Sequence, residues 1–156
     1  VLKTAEYDLC ILATSDKGFG YKKDIHVWIS EDDYENANLM ILLSYIILGH
    51  RDWKKGQIKI YATFPTESLK QEKEKLIQLT SSGRLPISAN NIRVIALDKG
   101  GSKLDLINEY SQDADLTVIG FQESKGTKGM DIQFFDGYDK IGNVLFVNTL
   151  TSKFIK

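Results

Sequence analysis

The chain holds one cysteine, Cys10, so no internal disulfide framework supports it, and this agrees with a reducing compartment. It has no excess of either charge. Twenty Lys and Arg stand against 21 Asp and Glu, and their alternation offers no phosphate-tracking surface or polybasic run of the kind that marks nucleic-acid partners. The first residues lack the basic start, apolar run and small-residue cleavage site of a signal peptide. The longest apolar run, Leu39 to Leu48, is interrupted by Ser44. It is about half the roughly 20 residues that a helix needs to cross a bilayer, so it reads as a buried core helix and no direct membrane span is expected. Internal repeats and low-complexity tracts are also missing.

What is present suits one globular domain over residues 1–156: 42% hydrophobic and 26% charged residues fall in the ordinary range for a single packed core. Segments of strand character recur at Asp8 to Thr14, Asp24 to Ile29, Gln57 to Phe64, Ile92 to Leu97, Asp115 to Gly120 and Val144 to Asn148. Most gaps between them carry helical periodicity, which predicts an α/β fold. Runs such as Thr117-Val118-Ile119-Gly120 lack polar alternation, as strands covered on both faces do. The expected architecture is a three-layer sandwich around a mostly parallel sheet of five to six strands, with one antiparallel edge strand.

That edge strand is Asp8 to Thr14, because Ser15 to Lys23 carries Gly18 and Gly20 but no helical pattern and predicts antiparallel pairing of the first two strands. Helices are expected over about Asn36 to Leu48, with Gly49 as a left-handed stop, and from Thr66, with Leu69, Leu76, Ile77 and Thr80 on one stripe and Gly83 and Pro86 at its end. Ser102 caps a third helix with Asp105 as its capping-box partner and Leu104, Ile107 and Ser111 facing inward. A short or broken helix is expected around Ile132, Phe135 and Tyr138, and a small helix or frayed tail over Leu150 to Lys156.

Few residues propose chemistry. Gly100-Gly101-Ser102 follows a strand and opens a helix, where backbone N–H groups can hold a phosphate, yet a tight turn with a serine cap explains all three. Gly120 to Gly129 is a polar, glycine-rich loop in which Lys125 and Lys128 could meet an anion, or a solvated surface loop. His26, His50 and Cys10 are too scattered to spell a metal site, and His50 is placed to meet the last carbonyls of its helix. Glu31, Asp32, Asp33 and Glu35 form an acidic turn without the calcium-loop spacing. Trp28 and Trp53 read as packing residues, and Phe134, Phe135 and Tyr138 as core or a partner surface. No nucleophile, oxyanion motif or fixed base accompanies the carboxylates, so no enzyme, cofactor, metal or catalytic residue is expected.

One pattern is more specific. Val27-Trp28 ends a strand, Asn38-Leu39-Met40 opens the apolar helix, and Asp52-Trp53-Lys54 precedes the next strand. In order and spacing these residues resemble the C-terminal cytosolic domain of cation-chloride cotransporters, which belong to the amino acid permease superfamily. The likeness is strongest from Ile25 to Ile60 and continues through Asp115 to Phe121 and Val144 to Asn148. The family strand usually reads I-D-V-W-W. Here His26 replaces the acidic residue, Ile29 the second tryptophan, and Asn36-Ala37-Asn38 the glycines, as in a divergent prokaryotic member.

The resemblance implies a universal-stress-protein-like fold, excised here from a larger membrane transporter. It also implies a location on the cytoplasmic side of the cell membrane, a regulatory role, homodimerisation, and contact with the transmembrane domain of the same transporter. The strand order is similar to that of stand-alone universal stress proteins as well. Their ATP loop reads G-x-x-G, nine residues, then G-[ST]; here Glu123 stands where the second glycine belongs and Gly126-Thr127 is displaced.

Overall fold

A computed structural model describes residues 7–82, 87–122 and 132–149. Six strands form one sheet: β1 (Leu9–Ala13), β2 (Asp24–Ser30), β3 (Gln57–Phe64), β4 (Ile92–Ala96), β5 (Leu116–Gly120) and β6 (Val144–Asn148). Three helices accompany them: α1 (Ala37–Leu48), α2 (Leu69–Ser82) and α3 (Lys103–Tyr110). The order across the sheet is β1-β6-β5-β2-β3-β4, with every neighbouring pair parallel except β1 with β6. All six strand expectations hold to within about a residue.

β2 lies mid-sheet and its residues Ile25 to Ile29 are all buried, which explains its missing polar alternation. Alternate residues feed two cores. Ile25, Val27 and Ile29 join Ile60, Ala62 and Val118 under Ala37, Met40 and Ile41 of α1 and Leu76 of α2. Trp28, Tyr61, Ile119 and Phe146 pack on the other face with Ile107 of α3 and the turn bearing Phe135 and Tyr138. This makes the three layers. β1 shows the half-buried alternation of an edge, with Leu9, Ile11 and Ala13 packed against the second core and Cys10 and Leu12 exposed.

β1 is the antiparallel edge, but its partner is not β2. It pairs with β6, from Leu9 opposite Asn148 to Ala13 opposite Val144, and both β6 and β5 separate it from β2. The physical reason lies in the connecting loop. Three strand spacings are about 14 Å, and a segment of about nine residues can reach about 30 Å. The loop is fastened along that path: Ser15 N–H donates to Asn143 Oδ1 (2.8 Å), and the Asp115 carboxylate accepts the N–H groups of Tyr21, Lys23 and Asp24 at 2.8–2.9 Å. Gly20 sits at φ +51° against that carboxylate, where a Cβ would collide with Oδ1.

Local caps also differ from expectation. Gly49 is right-handed (φ −68°), because the chain turns directly into a 3-10 turn over Arg51–Trp53. His50 does not serve the helix carbonyls; its Nδ1 accepts the Asp52 N–H (3.2 Å) and caps that turn. α2 is preceded by a 3-10 turn over Thr66–Ser68, and Thr66 is itself capped: its N–H and hydroxyl both donate to Asp98, at 2.9 and 2.7 Å. Those two bonds, the N–H first, hold the Asp98 carboxyl below the usual carboxylate range. Ser102 caps α3 as expected, its Oγ accepting the Asp105 N–H (3.2 Å), and Ile107 and Ser111 are fully buried. The helix around Ile132 is a single 3-10 turn over Ile132–Phe135. The end of α2 at Gly83 and Pro86 and the segment Leu150 to Lys156 lie outside the described residues.

Candidate functional site

In open α/β sheets the crevice for a ligand opens at the carboxyl ends of the two strands whose connections leave on opposite faces. Here those strands are β2 and β5, which lie side by side. β2 runs into the acidic 3-10 turn Glu31–Asn36, and β5 runs into Phe121. The turn exposes Glu31, Asp32 and Glu35 to solvent, while buried Asn36 reaches back beneath it.

Asn36 Nδ2 donates to the Phe121 carbonyl (3.1 Å), and its Oδ1 accepts the Thr149 N–H (2.8 Å). Asn148 Nδ2 donates to the same carbonyl (2.6 Å). Two side-chain amides therefore close the junction of β2, β5 and β6. Asn148 Oδ1 is buried and accepts no hydrogen bond from the described residues. Beside the crevice, Lys103 Nζ donates to Ser30 Oγ (3.2 Å) across the start of α3.

The glycine-rich segments divide. Gly100 has φ +94°, and a Cβ on Gly101 would strike the Leu97 side chain, so the turn geometry accounts for both residues. Of Gly120 to Gly129, only residues 120–122 are described. Gly120 is a buried end of β5, and the anion reading of Lys125 and Lys128 falls outside the described residues.

His26 and Ser111 make a serine–histidine contact, with Nδ1 and Oγ 2.9 Å apart. It is sealed in the second core. Ser111 Oγ also accepts from Trp28 Nε1 (2.8 Å), so one hydroxyl ties the imidazole to the indole. Burial, reinforced by the Lys59 charge, pushes His26 down from 6.5 to about 4, against the opposing pull of Asp24, Asp115 and Asp113. Trp28 stacks on Tyr61 (4.8 Å, 14°), and Arg93 lies over Tyr110 (4.7 Å) to extend the stack. Proximity in space was not legible from positions 26, 28 and 111, because strand alternation and a helix terminus bring them together.

The other sequence candidates separate. His50 is exposed at the far end of α1, Cys10 is exposed on β1, and His26 is buried in β2. No group of three or more His, Cys, Asp or Glu is arranged for a metal among the described residues. Trp53 is buried with its ring edge-on to Phe19 (6.2 Å). Phe134, Phe135 and Tyr138 surround Phe146, with Phe121 completing the cluster. Beside it runs a groove of about 810 Å³ between Ala13–Lys17 and Phe135–Gly142. It has carboxylates Asp16, Asp136 and Asp139 at its rim, and Lys17 Nζ donates to the Lys140 carbonyl (2.6 Å). Sequence reading found the aromatics but not the groove, which needs β1 on the far side.

The sheet order and the covering of both faces define a universal-stress-protein-like α/β fold. Among solved structures, the chain is similar to the cytoplasmic domain of a prokaryotic cation chloride cotransporter, with TM-score 0.65 and 14% identity over 97% of this chain and 56% of that one. It is also similar to a protein described as a universal stress protein from Pseudomonas aeruginosa UCBPP-PA14 (TM-score 0.62, 18% identity, 88% of this chain and 51% of that one). A protein of unknown function from Pseudomonas aeruginosa PAO1 gives TM-score 0.58 at 18% identity, with the same coverage of 88% and 51%. The chain thus spans about half the length of the solved chains it matches, and at these identities the likeness is one of fold. No protein-family model matches the chain, and no curated protein matches it significantly. No helix among the described residues is long and apolar enough to cross a membrane.

Proposed function

We propose that this chain is a non-catalytic, regulatory cytoplasmic domain of a cation-chloride cotransporter, one α/β unit that pairs with a second copy and contacts the transmembrane part of its own transporter. Its place is then the cytoplasmic side of the cell membrane. The observation that carries this reading is the junction of β2 and β5: Asn36, Asn148 and Thr149 occupy it, with Asn36 and Asn148 both bonded to the Phe121 carbonyl. A domain whose ligand crevice is filled by its own amides suits interaction better than nucleotide turnover. The similarity to a cotransporter's cytoplasmic domain over 97% of the chain supports the same reading, as do Val27-Trp28 and Trp53 at the family's spacing.

The second reading is a stand-alone universal-stress-type nucleotide-binding protein, favoured by the comparable likeness to a universal stress protein. Calorimetric titration with ATP separates the two. The regulatory reading expects no binding at micromolar concentrations, together with a dimer in sedimentation velocity and capture of the transporter core. Micromolar ATP affinity abolished by substitution near Gly120 would move the assignment to the second reading. A chain that stays monomeric at high concentration and ignores the transporter core would remove the first.

A further inference from the structure

The amino-terminal ends of β2 and β3 bring two distant segments into one surface. Asp24 opens β2 opposite Gln57 of β3, the Gln57 N–H donates to the Lys23 carbonyl (2.7 Å), and Lys22 Nζ reaches Asp52 Oδ2 (3.1 Å). Phe19 against Trp53 and Leu48 against Gly56 close the seam beneath. Lys22, Lys23, Arg51, Lys54 and Lys55 therefore share one end of the domain, although no stretch of sequence forms a basic run. Within these segments the opposing charge is Asp52, which faces Lys22, Arg51 and His50. Neighbouring Asp24 is half-buried, accepts from Gln57 Nε2 (2.8 Å) and faces Lys59 (3.8 Å). Lys23, Lys54 and Lys55 are exposed and in no ion pair found among the described residues.

Apolar groups border these cations. Tyr21 is 87% exposed, and Tyr45 and Ile46, in the last turn of a helix with no charged residue, are 42% and 60% exposed. We infer that this end of the domain docks on an anionic bilayer surface. Clusters of four to eight Lys and Arg recognise anionic headgroups, and aromatic side chains sit at the headgroup level. A phosphate backbone or an acidic peptide would match the charges but would leave Ile46 and its neighbours with no complementary surface; the boundary between headgroups and acyl chains takes both. Docking through this face requires no transporter core, so a failed capture of that core would leave it standing.

Flotation with phosphatidylcholine vesicles, with and without phosphatidylserine, tests the assignment. Binding is expected only to the anionic vesicles, and is lost at about 1 M salt, where the screening length falls to about 3 Å. Each exposed cation near such a surface changes affinity about fivefold, so Lys23→Ala, Lys54→Ala and Lys55→Ala together are expected to weaken binding about a hundredfold. Ile46→Ser is expected to weaken it with no change of charge, whereas Lys70→Ala with Lys73→Ala on α2 leaves it intact. Equal binding to neutral and anionic vesicles overturns the inference, as does a triple variant no weaker than the α2 control. Tighter binding to a single-stranded RNA homopolymer or to polyglutamate than to the vesicles assigns the face to another partner and also overturns it. These side chains are exposed, and matching urea midpoints confirm that each variant is folded.

Discussion

Acidification should destabilise this domain through His26 in a defined window. His26 is 4% exposed, its Nδ1 lies 2.9 Å from Ser111 Oγ, and it titrates at about 4 in the folded chain against 6.5 as its ordinary value. Between these values the unfolded chain binds more protons than the folded one, so stability rises with pH there and falls as pH falls. The loss begins near 6.5 and levels off below about 4. From pH 7.5 to pH 5 it amounts to about 2 kcal/mol, and to about 3 kcal/mol by pH 4. Carboxylates titrate in the same range, so the measurement is a difference: urea unfolding of the parent and of His26→Phe at several pH values. The variant loses hydrogen bonding at every pH, but its stability should change about 2 kcal/mol less between pH 7.5 and pH 5. For a chain of this size that corresponds to about 4–8 °C in Tm. Identical pH slopes for the two proteins, or an NMR titration placing folded His26 at 6 or above, would refute the reasoning.

The remaining expectations concern the framework around the same strands. Asp115→Asn keeps the shape but replaces a carboxylate that accepts three backbone N–H groups, and should cost about 2–3 kcal/mol in urea unfolding. Gly20→Ala, at φ +51° against Asp115, should cost about 2 kcal/mol, and Gly18→Ala, at φ +57° in open space, about 1 kcal/mol; equal losses would mean that the carboxylate contact is immaterial. Trp28→Phe removes the indole donor to Ser111 and part of the Tyr61 stack, and should lower Tm by about 4–8 °C in thermal unfolding monitored by circular dichroism.

Much of the framework was legible in the chain because it depends on local pattern. Strand composition located all six strands, the uncharged run after Asn36 located α1, and Ser102 located the start of α3. Where cap groups came from a distance, local reading failed. The second helix is expected to open at Thr66, yet Thr66 lies in a 3-10 turn ahead of α2 and is itself capped by Asp98, beyond the end of β4 and 32 positions away. The crevice was legible only in part: the acidic turn and Phe121 are visible in sequence, but nothing in positions 36, 148 and 149 announces that their polar groups converge on one carbonyl or strand end.

The shortages set the outer limits. With one cysteine, balanced charge and an apolar run too short to span a bilayer, the chain had to hold itself together by burying alternating apolar strands and helix faces. Hydrophobic period and turn residues decide that much, since each acts within a few positions of itself. Only the tertiary structure decided that β1 pairs with β6, because loop length permits several partners and the choice rests on Asn143 and Asp115, far along the chain, fastening the connection. The same long-range closure gathers Lys22, Lys23, Arg51, Lys54 and Lys55 into one face, so charge that is balanced along the sequence is unevenly placed in space.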